Sequence, residues 1–145
     1  LLEAVEQGTG LAGWHGMTAS FRTNLDYAFL TGSAFVAHPG GEGVEVPYEV
    51  NIVDRDHEIT QGVEDFEVAS EQYYMLVDPS VHVLATTRFT GEHLPWLDGV
   101  EVPVAYVKQW GKGRVFYASP GHTPKDVQAP PVARLIRQGL AWASR

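Results

Sequence analysis

The sequence predicts an α/β fold built on a mixed, mostly parallel sheet. Three observations support this class. Residues Leu11–Trp14 form a short apolar strand that ends abruptly at a histidine flanked by glycine. The tight turn Gly111–Gly113 joins two apolar segments and is typical of a hairpin. Near the C-terminus apolar residues recur at helical spacing, which predicts a helix with one face on the sheet: Val132, Leu135, Ile136, Leu140 and Ala143.

The first thirty residues contain two helical patterns. Leu1–Gly8 looks like the last turns of a helix closed by a glycine. Because a domain rarely begins inside a helix, we expect one domain over residues 1–145 that lacks N-terminal elements. Asn24–Leu30 predicts a short helix, with Asn24 as its N-cap and Gly32 as its stop signal.

The middle of the chain predicts several short strands. Residues 44–52 alternate between apolar and polar, the period of a half-buried strand. Pro47 cannot donate a ladder hydrogen bond, so we expect this strand at a sheet edge. Further short strands follow, and the last two form the hairpin, which makes the sheet mixed: Phe66–Val68, Gln72–Val77, Val81–Thr87, Val102–Trp110 and Arg114–Ala118.

Composition excludes several functional classes. The formal net charge of -8 and pI near 5.1, with scattered basic residues, argue against a nucleic-acid partner or an anionic membrane surface. No apolar run approaches the length of a membrane span. The absence of cysteine excludes disulfides, thiolate metal sites and a cysteine nucleophile, and it fits a cytoplasmic protein.

Candidate functional residues lie where predicted strands end. His15 follows the first strand, at the position where open α/β sheets bind ligands and where related hydrolase folds place a nucleophile. His122 follows the last strand. Glu71 and Tyr73 are two residues apart, which predicts one strand face, and His38 precedes a proline at a strand exit. We therefore predict that His15, Glu71 and His122 converge in one pocket.

Several motifs together resemble one family, the ThuA-like (trehalose-utilisation) branch of the class I glutamine amidotransferase-like superfamily. The resemblance covers nearly the whole chain and depends on the order and spacing of short segments: residues 10–16, 27–39, 57–62, 70–73, 103–107, 111–117, 121–123 and 139–143. It implies a flavodoxin-like three-layer sandwich with a pocket at the strand ends. It also implies a role in trehalose or related sugar metabolism. As partners of the chain we expect a small sugar-like ligand and a second copy of the chain in a homo-oligomer.

Three functional hypotheses use the same residues. In the first, His15, Glu71 and His122 perform acid–base chemistry on a carbohydrate, with Tyr73 and His38 binding it. In the second, the two histidines and the carboxylate hold a divalent metal such as zinc in a hydrolase or isomerase. In the third, the chain is a non-catalytic binding scaffold. Glutaminase activity follows from none of them, because that chemistry needs a cysteine and the chain has none.

Overall fold

The computed structural model describes all residues from Leu1 to Arg145. Its helices are α1 (Leu2–Glu6), α2 (Leu25–Thr31), α3 (Pro124–Gln128) and α4 (Pro130–Ala143). Its strands are β1 (Leu11–Trp14), β2 (Ser33–Ala37), β3 (Val46–Ile52), β4 (Phe66–Ser70), β5 (Tyr74–Val77), β6 (His82–Arg88), β7 (Glu101–Trp110) and β8 (Gly113–Ala118). Single 3-10 turns cover His15–Met17 and Pro95–Leu97.

A six-stranded mixed sheet forms the centre of the molecule, in the order β1-β8-β7-β6-β3-β4. Only β1 and β8 run parallel, and every other pair of neighbours in this sheet is antiparallel. A second, two-stranded sheet pairs β2 with β5, also antiparallel. The α/β class and the mixed sheet are confirmed. The prediction of a mostly parallel sheet is wrong, and a flavodoxin-like strand arrangement is not confirmed.

The absence of crossover helices accounts for the antiparallel pairing. Parallel neighbours need a crossover of a dozen or more residues, usually a helix. Between β3 and β8 the chain contains no α-helix, and β7 returns directly through the predicted hairpin turn to β8. Within this region β3 pairs with β4, β6 with β7 and β7 with β8, each antiparallel. The one parallel pair joins β1 to β8, which are far apart in the sequence and are separated by α2.

The prediction that the strand containing Pro47 lies at a sheet edge is wrong, although Pro47 itself has a partner strand on one side only. β3 lies between β6 and β4 in the sheet. However, β6 pairs only with Asn51 and Ile52, whereas Pro47 pairs with Ala69 of β4 on the other side. Because no strand needs the missing N–H of Pro47 on the β6 side, the sheet tolerates it there.

Helices cover both faces of β8. The apolar face of α4 packs on Phe116 and Ala118, while Val115 packs with residues of α1 and α2 on the opposite side. The chain approaches α4 closely at Gly10, just before β1, where a Cβ would lie 1.9 Å from the carbonyl oxygen of Ala143. Val132, Leu135, Ile136 and Ala143 are buried as predicted, but Leu140 is exposed, because it lies beyond the edge of the buried stripe.

The local signals near the N-terminus agree with the structure. The Asn24 side chain accepts a hydrogen bond of 2.9 Å from the Tyr27 N–H at the start of α2. Gly32 ends that helix with a φ of 90°, in the left-handed region that favours glycine. None of the helices has the length and apolar character required to span a membrane.

Candidate functional site

His15 lies at the end of β1, and its backbone is held in an uncommon conformation. Its φ is 47°, in the left-handed region that residues other than glycine rarely adopt. The Tyr117 hydroxyl of the neighbouring strand donates a 3.0 Å hydrogen bond to the His15 carbonyl oxygen. Thr18 in turn donates to that hydroxyl at 3.1 Å. The buried hydroxyls below the turn thus stabilise the conformation that directs the imidazole towards the end of β8.

A backbone carbonyl determines which nitrogen of His15 carries the proton. Nδ1 lies 3.1 Å from the Ser119 carbonyl oxygen, which can only accept a hydrogen bond. Nδ1 must therefore be the donor, and in neutral His15 the other nitrogen, Nε2, has a free lone pair. That Nε2 lies 3.0 Å from Glu71 Oε2 and 3.1 Å from His122 Nδ1.

Glu71 is the centre of the site. It lies in the segment between β4 and β5 and is only 2% exposed. Its Oε2 atom contacts the ring nitrogens of His15 at 3.0 Å, His122 at 3.0 Å and His38 at 3.2 Å. The other oxygen, Oε1, accepts a 2.5 Å hydrogen bond from the Gly43 N–H. One buried carboxylate oxygen thus faces three imidazole nitrogens.

His122 lies in the loop between β8 and α3 and is the most accessible member of the site. Its side chain is 36% exposed, compared with 15% for His15. The preceding Gly121 has a φ of 134°, and a Cβ there would lie 2.5 Å from a carbon of the Trp14 ring. Glycine is therefore needed at this position because the Trp14 indole packs against the loop backbone. The site opens to solvent on the His122 side.

His38 and Tyr73 complete the surroundings of Glu71. His38 Nε2 is buried and forms no hydrogen bond, although Glu71 Oε2 is 3.2 Å away. The Tyr73 ring lies between the two imidazoles, with centroid distances of 4.7 Å to His15 and 4.8 Å to His38. The prediction that Glu71 and Tyr73 share a strand face is wrong, because β4 loses its partner strand after Ser70 and β5 begins at Tyr74.

Burial favours the neutral form of two of the histidines. Loss of solvent lowers the pKa of His15, and this outweighs the opposite effects of the Ser119 hydrogen bond and of the Glu71 charge. Burial is also the largest cause of the lowered pKa of His38, and the nearby Arg22 acts in the same direction. Burial raises the pKa of Tyr73 well above its usual range, so its hydroxyl stays protonated. Neutral imidazoles are the form that binds a metal or accepts a proton.

The arrangement fits a divalent ion. His15, Glu71 and His122 each offer one ligand atom, and these atoms lie within 4.8 Å of one another. Ligand atoms at zinc-like distances of about 2.0–2.1 Å on a tetrahedral ion are about 3.3–3.4 Å apart. The contacts of 3.0–3.1 Å within this group are close to that spacing. The hydrogen bond from His15 Nδ1 to a backbone carbonyl is typical of the outer contacts of metal-bound histidines.

Comparison with known proteins identifies the family. The family model described as trehalose utilisation, ThuA, matches residues 1–143. The chain belongs to the ThuA family. Comparison with curated proteins gives no significant match.

Solved structures agree with this assignment at the level of the fold. A protein described as ThuA-like from Parabacteroides merdae has 17% identity and a TM-score of 0.77, over 99% of this chain and 63% of its own. One from Bacteroides uniformis has 18% identity and a TM-score of 0.74, over 97% of this chain and 60% of its own. A cytoplasmic protein from Salmonella typhimurium has 14% identity and a TM-score of 0.66, over 99% and 58%. This chain therefore spans about three fifths of the length of these structures.

In this ThuA chain the structure brings together all five residues singled out from the sequence. His15, Glu71 and His122 converge as predicted, with Tyr73 and His38 beside them. Their assigned roles in catalysis and in substrate or metal binding stay predictions.

Sequence reasoning missed three groups that hold the ThuA site together. They are the Ser119 carbonyl, the Gly43 N–H and the Asp126 carboxylate, which accepts a hydrogen bond from the His122 N–H at 3.1 Å. Backbone groups have no sequence signature. The Thr123-Pro-Lys-Asp126 spacing, however, is typical of a capped helix start and could have indicated Asp126.

A cavity of about 650 Å³ in the ThuA chain is not lined by the histidine–glutamate site. It lies between β3 and the loop from Phe89 to Asp98. Pro39 and Gln72 line it, and each is the sequence neighbour of a site residue, His38 and Glu71. The same two chain segments therefore contribute residues to the cavity and to the site. The site itself opens to solvent elsewhere, at His122.

Proposed function

We propose that His15, Glu71 and His122 form a divalent-metal centre in a ThuA-family protein that acts on a small carbohydrate-like ligand. His38 lies beside the same Glu71 oxygen, with its Nε2 3.2 Å away. The single observation that carries this proposal is the contact between His15 Nε2 and Glu71 Oε2, 3.0 Å apart, in a site where His15 Nδ1 already holds the proton.

A proton or a bound cation between the two atoms would stabilise that contact. Neutral His15 presents a lone pair to a carboxylate oxygen, and two acceptors at hydrogen-bond distance repel each other. Protonation of His15 would relieve the repulsion, but burial lowers its pKa and opposes this. A cation bound by both atoms removes the repulsion between them. Two histidines, one carboxylate and an open position are typical of catalytic zinc.

The role proposed for each residue of the site follows from how buried its side chain is. Glu71, at 2% exposed, supplies the negative charge, and the Ser119 carbonyl keeps the His15 Nε2 lone pair directed into the site. His122 is the exposed member and lies nearest to an incoming ligand. A bound divalent ion would supply Lewis acidity towards a ligand oxygen. The partly exposed Trp14 ring beside Gly121 offers an apolar face of the kind on which sugar rings stack.

The carbohydrate class of the ligand is an inference from the family description, trehalose utilisation. The cytoplasmic location of the protein is inferred from the absence of cysteine and from the Salmonella structure described as cytoplasmic. Self-association stays a prediction. It is supported by three exposed apolar side chains on or beside α2, namely Phe21, Leu25 and Phe29.

Metal titration tests the proposal directly. Chelator-treated protein is titrated with Zn²⁺ by calorimetry, and with Co²⁺ while the visible spectrum reports a tetrahedral centre. We expect one ion per chain. Glu71→Gln keeps the size of the side chain but removes its charge, and we expect it to weaken binding at least ~10-fold, the lower end of the effect of losing even an outer contact. His15→Ala and His122→Ala should act in the same direction.

His93→Ala is the matched control, since His93 is an exposed histidine outside the cluster. It should bind both ions like the unmodified protein. Absence of Zn²⁺ and Co²⁺ binding at micromolar concentration, or equal binding by all variants, would refute the metal centre. Carbohydrate turnover by the chelated protein would favour the metal-free acid–base alternative.

A further inference from the structure

Asp126 is a buried carboxylate beneath the site that accepts hydrogen bonds from three different donors. It is 2% exposed and forms no ion pair. One oxygen accepts hydrogen bonds from the Ser70 hydroxyl and, at 3.1 Å, from the His122 backbone N–H. The other accepts one from the Thr123 hydroxyl. Both oxygens therefore act as acceptors, the role of an ionised carboxylate.

The three donors belong to two separate parts of the site. Ser70 is the last residue of β4 and immediately precedes Glu71. His122 and Thr123 lie in the loop that follows β8. Ser70 and Asp126 are 56 residues apart in sequence, so this carboxylate is a tertiary link between the backbone carrying Glu71 and the backbone carrying His122.

The other members of the site are held without Asp126. His15 is fixed by the Ser119 carbonyl and the Tyr117 hydroxyl. His38 follows β2 and packs against the Tyr73 ring. Loss of the Asp126 charge should therefore displace His122 relative to Glu71 and leave the His38 contact in place.

We propose that Asp126 is a positioning residue that sets the 3.0 Å separation between the His122 imidazole and the Glu71 carboxylate. This rests on the metal centre proposed above, whose affinity depends on that separation. The local role of Asp126 in α3 does not account for its contacts. Thr123 already caps the helix by accepting from the Asp126 N–H, and α3 spans only Pro124–Gln128, whereas the bond to Ser70 serves a distant strand.

Asp126→Asn tests the role because it keeps the shape and removes the charge. We expect Zn²⁺ affinity to fall about 10-fold, as for other outer contacts of metal ligands. The decisive measurement is a double-mutant cycle. In the His122→Ala background, Asp126→Asn should lower Zn²⁺ affinity by less than a further 2-fold, because the imidazole that Asp126 positions is gone. In the His38→Ala background, Asp126→Asn should again lower Zn²⁺ affinity about 10-fold. Equal penalties in both backgrounds would mean a general structural role and would overturn the proposal.

A second readout does not depend on the metal. Imidazole resonances of the chelated protein are compared by NMR at one pH, and Asp126→Asn should shift those of His122 while those of His38 stay unchanged. If the unmodified protein binds no Zn²⁺ and this selective shift is seen, the metal centre fails but the positioning role of Asp126 holds. Uniform or absent shifts refute the positioning role. Should Asp126→Asn fail to fold, Ser70→Ala removes one donor only and must give the same selectivity, with Thr123→Ser, which keeps its hydroxyl, as control.

Discussion

Gly139 marks the closest approach of α4 to the sheet, and its replacement by alanine should destabilise the protein. A Cβ at Gly139 would lie 2.2, 2.3 and 2.4 Å from three ring atoms of Phe116. Favourable carbon–carbon contacts are about 3.5–4.0 Å. Phe116, in β8, is fully buried against α4, so its ring can move only by displacing other core residues.

Two effects of opposite sign decide the magnitude. Alanine is favoured over glycine inside a helix by about 1 kcal/mol. Overpacking of a dense core costs about 1–3 kcal/mol. Since three atoms of a fully buried ring are overlapped by more than 1 Å, the upper end of that range applies, and the free energy of unfolding should fall by about 2 kcal/mol. For a domain of this size the melting temperature should drop by about 4–8 °C.

Calorimetry on chelated protein measures the change. Gly16→Ala is the matched control, because a Cβ at Gly16 would meet no atom within 4 Å. It should alter the free energy of unfolding by no more than about 0.5 kcal/mol. A Gly139→Ala protein that melts at or above the temperature of the unmodified chain would refute the argument, since helix propensity would then outweigh the steric overlap.

Two further predictions concern the titrating and nucleophilic groups. Burial lowers the pKa of His15 and His38 below the ordinary 6.5. Below pH 6.5 the unfolded chain therefore binds more protons than the folded chain, which lowers the free energy of unfolding. The urea midpoint of the chelated protein should be lower at pH 5.5 than at pH 7.5. An equal or higher midpoint at pH 5.5 would contradict this. Glutamine should not be hydrolysed at any pH, because no cysteine is present to form the thioester; ammonia release above the blank that His15→Ala abolishes would show the opposite.

Much of the secondary structure could be predicted from the sequence because its causes are local. The Asn24 cap and the Gly32 stop act within one turn of α2. The hairpin at Gly111 and the buried stripe of α4 likewise depend on residues a few positions apart. The placement of His15 and His122 just past strand ends could also be predicted, since both predicted strands stop at a glycine-containing segment; that the two strands are neighbours is known only from the structure.

Strand direction and the chemistry of the site depended on contacts between distant segments. The sheet is mostly antiparallel because no crossover helix links the strands from β3 to β8, and the periodicity of a strand does not encode its partner. The proton on His15 Nδ1 is placed by a carbonyl 104 residues away. The Asp126 carboxylate meets Ser70 only after α3 packs beside β4. The sequence by itself thus determined which side chains could do chemistry, while tertiary packing decided which lone pairs and charges face one another, because backbone donors and acceptors acquire partners only in the folded chain.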